Sequence, residues 1–176
     1  MGRLFLISGN EDFTVKERAY ELIVSLCGEN PEENTALEII RGDDDTEKFG
    51  PVLERFLAAL ETPPFLSPEK YVWLKHFNKF EDAFSESSTK KKKNHLDQIS
   101  DFLKNGLPPE LPVVIDGTGL DRRKAFYKQC EKLAKESGGA SEWHEKADPK
   151  GKGYAQMLHR KIREMMSQYE DRTSVV

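Results

Sequence analysis

Two turns in this chain carry groups where nucleotide chemistry would need them. Ser8-Gly9-Asn10-Glu11-Asp12 closes an apolar run at the N-terminus, and Val113-Val114-Ile115-Asp116 ends a second apolar run on an aspartate. In an open α/β sheet, ligands bind beyond the carboxyl ends of the strands, so both turns are candidate sites. A phosphate loop of the pattern G-x-x-x-x-G-K-[ST] needs small residues, so that backbone N–H groups can close on phosphate. The first turn has one glycine, no lysine at the start of the following helix, and two carboxylates, Glu11 and Asp12, that would repel phosphate oxygens. A dinucleotide fingerprint fails for the same reason, so the usual nucleotide site is missing. Asp116 has two readings. It is either a Mg²⁺ ligand beside a nucleotide or the first residue of the turn Asp116-Gly117-Thr118-Gly119. Without a phosphate loop the turn is the plainer reading.

The remaining reactive side chains do not assemble a site at sequence level. Asp43-Asp44-Asp45 could hold a metal, but acidic residues ahead of a helix stabilise its N-terminus and need no other reason. A phospho-receiver would need an acceptor aspartate after its third strand, where this chain has Lys75-His76. His76, His95, His144 and His159 have no zinc spacing with Cys27 or Cys130, and no G-x-S-x-G elbow occurs. The two cysteines fall on helical apolar stripes and read as reduced core thiols of a cytoplasmic protein. Two basic clusters stand out: Lys90–Lys93, which either binds phosphate backbones or, more plainly, is a solvated loop, and Arg122-Arg123-Lys124 with Lys128, a candidate DNA or phosphate contact. The net charge of −4 does not favour nucleic acid as the main partner. No apolar run reaches the ~20 residues that span a bilayer, and the N-terminus lacks a signal peptide's long apolar centre.

The elements that would position these groups alternate. Strands are predicted at Arg3–Ser8, Ala36–Ile40, Lys70–Lys75, Leu111–Ile115 and Ala140–His144. Helices are predicted over Phe13–Cys27 with Asp12 as N-cap or Thr14 and Glu17 as an alternative capping box, over the stripe Phe49, Val52, Leu53, Phe56, Leu57 and Leu60, around Leu96–Leu103, after a cap at Asp121, and over Tyr154–Tyr169. Glu81–Asn94 reads as a long connection. Alternation of this kind predicts an α/β fold, a parallel sheet flanked by helices on both faces. The last helix has a wide apolar stripe with nothing after it to cover it, which predicts a further element beyond Val176.

One loop stands apart. Thr62-Pro63-Pro64-Phe65-Leu66-Ser67-Pro68 has three prolines within six positions. Such a backbone is stiff and cannot join a central ladder. It carries Phe65 and Leu66, two large apolar side chains, which are either tucked under the fold or offered to a partner.

Three stretches give the chain a likeness to a known family. They are Leu4–Phe13 with Val15 and Glu17, Leu60–Lys75, and Leu120-Asp121-Arg122-Arg123-Lys124-Ala125-Phe126-Tyr127-Lys128. In this order and spacing, most of residues 1 to 170 resembles the N-terminal part of the delta subunit of bacterial DNA polymerase III, the clamp-opening subunit of the clamp loader, with Glu81–Asn94 a stretch that does not match closely. The resemblance implies a degenerate AAA+ module, P-loop NTPase-like but without the phosphate loop, over residues 1–147. Residues 148–176 would be a linker and the first helix of a truncated lid domain, with the collar domain missing. It implies a non-catalytic subunit of a polymerase holoenzyme, with no cofactor. The implied partners are the sliding clamp, the other loader subunits and, weakly, DNA. The family's clamp-binding residues are an adjacent apolar pair in the loop after the second helix, which matches Pro64 and Phe65. Proline offers less apolar surface there than leucine, and Leu66 would supply what is lost. In AAA+ order the strand Leu111–Ile115 takes the sensor position, not the metal-binding one. From another class, the competing expectation is a nucleotide-dependent enzyme or switch using Asp116 and a non-standard phosphate site.

Overall fold

A computed structural model describes residues 2–43, 49–65, 67–78, 95–148 and 150, together with positions 155–156, 158–160, 162–163 and 166. The chain divides into two units, Met1–Glu145 and Lys146–Val176. The first unit carries the sheet. Its elements are β1 (Leu4–Gly9), α1 (Asp12–Cys27), a 3₁₀ turn at Pro31–Glu33, β2 (Leu37–Arg41), α2 (Phe49–Glu61), β3 (Tyr71–Lys75), α3 (His95–Lys104), β4 (Val113–Thr118), α4 (Ala125–Glu136) and β5 (Ala140–His144). In the second unit, the described positions from 155 to 166 are helical.

The five strands run parallel in the order β2-β3-β4-β1-β5. Parallel neighbours need a crossover, which is why strands and helices alternate. β1 is an inner strand and is buried along its whole length, in keeping with its apolar run. Leu4 to Gly9 pair with Val113 to Thr118 on one side, and Phe5 to Gly9 with Ala140 to His144 on the other. β4 lies between β1 and β3, as in a P-loop-like α/β fold.

Strand periodicity divides the core in two. Leu4, Leu6, Val72, Leu74, Val113 and Ile115 face the cluster built on α2, α3 and α4, with Phe56, Ile99 and Cys130 at its centre. Phe5, Ile7, Trp73 and Val114 face α1, through Val15, Ala19 and Ile23. Both faces are thus covered, as the alternation predicts. Cys130 is fully buried, and burial alone pushes its thiol far above the ordinary range; the half-buried Cys27 is pushed up to about 11 for the same reason. Among the described residues no helix is long and apolar enough to cross a membrane.

Three local expectations need correction. The N-cap of α1 is Glu11, not Asp12; Asp12 is already the first helical residue. Asp121 does not cap α4, which begins at Ala125 after Lys124. Asp121 instead accepts the Arg123 N–H at 2.9 Å in a tight turn. Asp116 does not begin a turn. β4 runs on through Asp116 to Thr118, and the Asp116 side chain is fully buried.

Candidate protein-binding site

The proline loop leaves α2 through a closed last turn. The Ala58 carbonyl accepts both the Thr62 N–H at 3.0 Å and the Thr62 hydroxyl at 2.7 Å. Pro63 and Pro64 cannot extend the helix, because each lacks the N–H the ladder requires. Pro64 is half-buried, whereas Phe65 is 94 % exposed. Leu66 lies outside the described residues. A scattered exposed leucine is unremarkable in a soluble domain, but an almost fully exposed phenylalanine on a proline-rich turn is not.

Beyond Phe65 the loop is tied down. The Ser67 hydroxyl donates to the Glu69 carbonyl, and the Tyr71 hydroxyl donates to the Glu69 carboxylate at 2.6 Å. That bond, aided by burial, pushes the Tyr71 phenol up to about 12. Lys70 turns inward. Its Nζ donates to the carbonyls of Ala59 at 2.8 Å and Thr62 at 3.2 Å, and pairs with Glu38 Oε2 at 2.8 Å. Between this loop and the start of β2 lies an open groove of about 340 Å³, with Thr35, Leu37, Glu38, Pro63, Phe65 and Lys70 among its walls. The sequence reading made Lys70 only the first residue of β3. The available signal was a lysine between a helix end and a buried strand, where its ammonium can reach the last carbonyls of the helix.

The carboxyl edge of the sheet is a second candidate, and its groups are engaged with one another. The Glu11 carboxylate accepts the Thr14 N–H at 2.7 Å, so an anion of the chain itself sits at the N-terminus of α1. Gly9 serves sheet packing, since a Cβ there would collide with the His144 backbone. Asp116 is the hub of a buried network. Oδ1 accepts from Trp73 Nε1 at 2.6 Å; Oδ2 accepts the His76 N–H at 3.2 Å and lies 2.9 Å from His76 Nδ1. His76 is held in the left-handed region with φ 56°. Both carboxylate oxygens are thus occupied. Among the described residues no group of three His, Cys, Asp or Glu could hold a metal ion.

Arg122, Arg123 and Lys124 share the exposed turn ahead of α4. The Arg122 guanidinium lies over the Trp143 ring, 5.1 Å from its centre. Arg123 grips Asp121 with Nε at 3.0 Å and Nη2 at 2.9 Å. These bonds, with the Arg123 N–H, hold the Asp121 carboxyl down at about 2. The pair's contribution is therefore complete above the ordinary aspartate value and is lost as the pH falls through about 2. Arg123→Ala should raise the Asp121 midpoint toward the ordinary range in a carboxyl NMR titration. An unmoved midpoint would assign the shift to the backbone turn alone. A phosphate approaching this turn would compete with Asp121 for Arg123. Lys90–Lys93 and Asp44-Asp45 lie outside the described residues.

No curated protein and no solved structure matches the chain. A family model does, that of the DNA polymerase III delta subunit, over residues 5–137. The matched span runs from β1 to the end of α4, taking in the proline loop, the sheet's inner strands and the basic turn. On that match, the chain belongs to the DNA polymerase III delta subunit family, a component of the clamp loader.

Proposed function

We propose that this chain is a non-catalytic clamp-loader subunit that binds the sliding clamp through the proline loop and helps to open it. Phe65 is the anchor, entering an apolar pocket on the clamp, with Pro64 and Leu66 packing around it. The observation that supports the reading is the near-complete exposure of Phe65 on a loop closed at both ends, in the loop where the resemblance expects the clamp-binding pair. A two-state clamp interface shifts only as far as the subunit prefers its open form. No hydrolysis by this chain is needed, and ATP would act on sibling subunits. The Arg122–Lys124 turn would add a weak DNA contact in the assembled loader. Residues 148–176 would form the linker and first helix of a lid.

Two measurements test this. The purified chain, passed over immobilised sliding clamp, should show saturable binding; no retention at micromolar concentrations would overturn the proposal. Calorimetry with Mg-ATP should give no saturable heat, because the chain's own Glu11 carboxylate already occupies the N-terminus of α1 and Asp116 is spent on Trp73 and His76. Micromolar Mg-ATP affinity would favour a nucleotide-dependent switch instead.

A further inference from the structure

One wall of the groove beside Phe65 is a lysine that is only 9 % exposed. An ammonium has three donors and no acceptor. Those of Lys70 meet three acceptors: the carbonyls of Ala59 and Thr62, and a carboxylate oxygen of Glu38. Two of the acceptors are at the C-terminal end of α2, where the helix dipole leaves negative charge. The third is on β2, the edge strand of the sheet. The backbone N–H of Lys70 also donates to the Glu110 carbonyl at 2.9 Å. The loop therefore departs from α2 at Thr62 and is bonded back to it by Lys70, eight residues on. Phe65 stands inside that closed circuit.

We infer that Lys70 is the positioning residue of the clamp-binding loop, locking it against α2 and β2 so that Phe65 is presented in one place. The inference rests on the proposed clamp-binding role of the loop. The prolines fix individual φ angles, but they do not fix the loop as a body relative to the sheet; the three bonds of Lys70 do. Without them the loop would be ordered at the moment of binding, and that cost would appear in the affinity. A purely structural lysine, one that only caps α2, would alter stability and leave clamp affinity per folded molecule unchanged.

The test compares wild type, Lys70→Met, Glu38→Gln and Phe65→Ala in two assays. One is affinity for immobilised clamp. The other, run on the three chains that keep Phe65, is the rate of chymotryptic cleavage after that residue, which reports loop order without the clamp. Lys70→Met keeps the length of the stem and removes the donors. It should bind clamp about ten-fold more weakly and be cleaved several-fold faster, with unchanged far-UV circular dichroism. Glu38→Gln, at a half-exposed position, should move both readings the same way by less, and it carries the test if Lys70→Met fails to fold. Wild-type affinity and wild-type cleavage in these variants, with Phe65→Ala still impaired, would overturn the positioning role alone. If Phe65→Ala binds as wild type does, the clamp-binding role fails. Cleavage then decides whether Lys70 orders the loop: faster cleavage supports that order and an unchanged rate overturns it.

Discussion

Phe65→Ala is expected to weaken binding to the sliding clamp by about 30-fold, the equivalent of about 2 kcal/mol for one aromatic anchor lost from a desolvated pocket. The same substitution should leave the fold alone. Phe65 is 94 % exposed, and changes at such positions usually shift stability by less than about 0.5 kcal/mol. The prediction is therefore a separation of two readings: dissociation from immobilised clamp quickens while the thermal midpoint holds. A core residue would show the reverse pattern. Equal retention of wild type and Phe65→Ala would remove Phe65 from the interface, and loss of the thermal midpoint would mean that the ring packs somewhere on this chain.

The second large effect belongs to the interior. Asp116→Ala removes the acceptor for Trp73 Nε1, for the His76 N–H and for the His76 ring. A buried donor stranded without a partner costs ~1–3 kcal/mol; the Trp73 bond is buried and the two His76 bonds only part-buried, so a total of about 3 kcal/mol is expected. His76 adds to this, because a left-handed non-glycine conformation persists only while its surroundings hold it. For a chain of this size the thermal midpoint should fall by about 6–12 °C. Thermal denaturation followed by tryptophan fluorescence would show it, since Trp73 is buried against the network it would lose. A midpoint within a degree of wild type would mean that Asp116 does not hold the end of β3. Asp116→Asn should fall between the two, keeping an oxygen for Trp73 while turning an amide toward His76.

The parts of this fold that could be read from sequence are the parts set by local periodicity. The three inner strands are short apolar runs, and the helices carry stripes that repeat at three and four residues, so type and order followed from near neighbours. Glu11, Lys70 and Asp116 were not legible in their actual roles, for separate reasons. Aspartate is the preferred capping acid, so Asp12 was the natural choice of the two adjacent acids, whereas here it is the Glu11 carboxylate that reaches the third N–H of the helix. Lys70 and Asp116 act on residues 11 and 43 positions away, respectively. Those partners exist only once β3 is laid beside β2 and β4. Asp121 misled because an aspartate ahead of an apolar stripe suits a tight turn as well as a helix start. The exposure of Phe65 depends on where the loop points, which three prolines constrain and do not specify.

The carboxylate of Glu11 on the first turn of α1 has one more consequence. A phosphate bound at such a position comes and goes with each catalytic round, and the domain around it changes shape accordingly. A side chain tethered to the backbone cannot depart. This sheet should then look the same whether a cell is rich or starved of ATP, and the same before and after a neighbour hydrolyses it. In the loader proposed above, such a piece would be the fixed post against which the others swing.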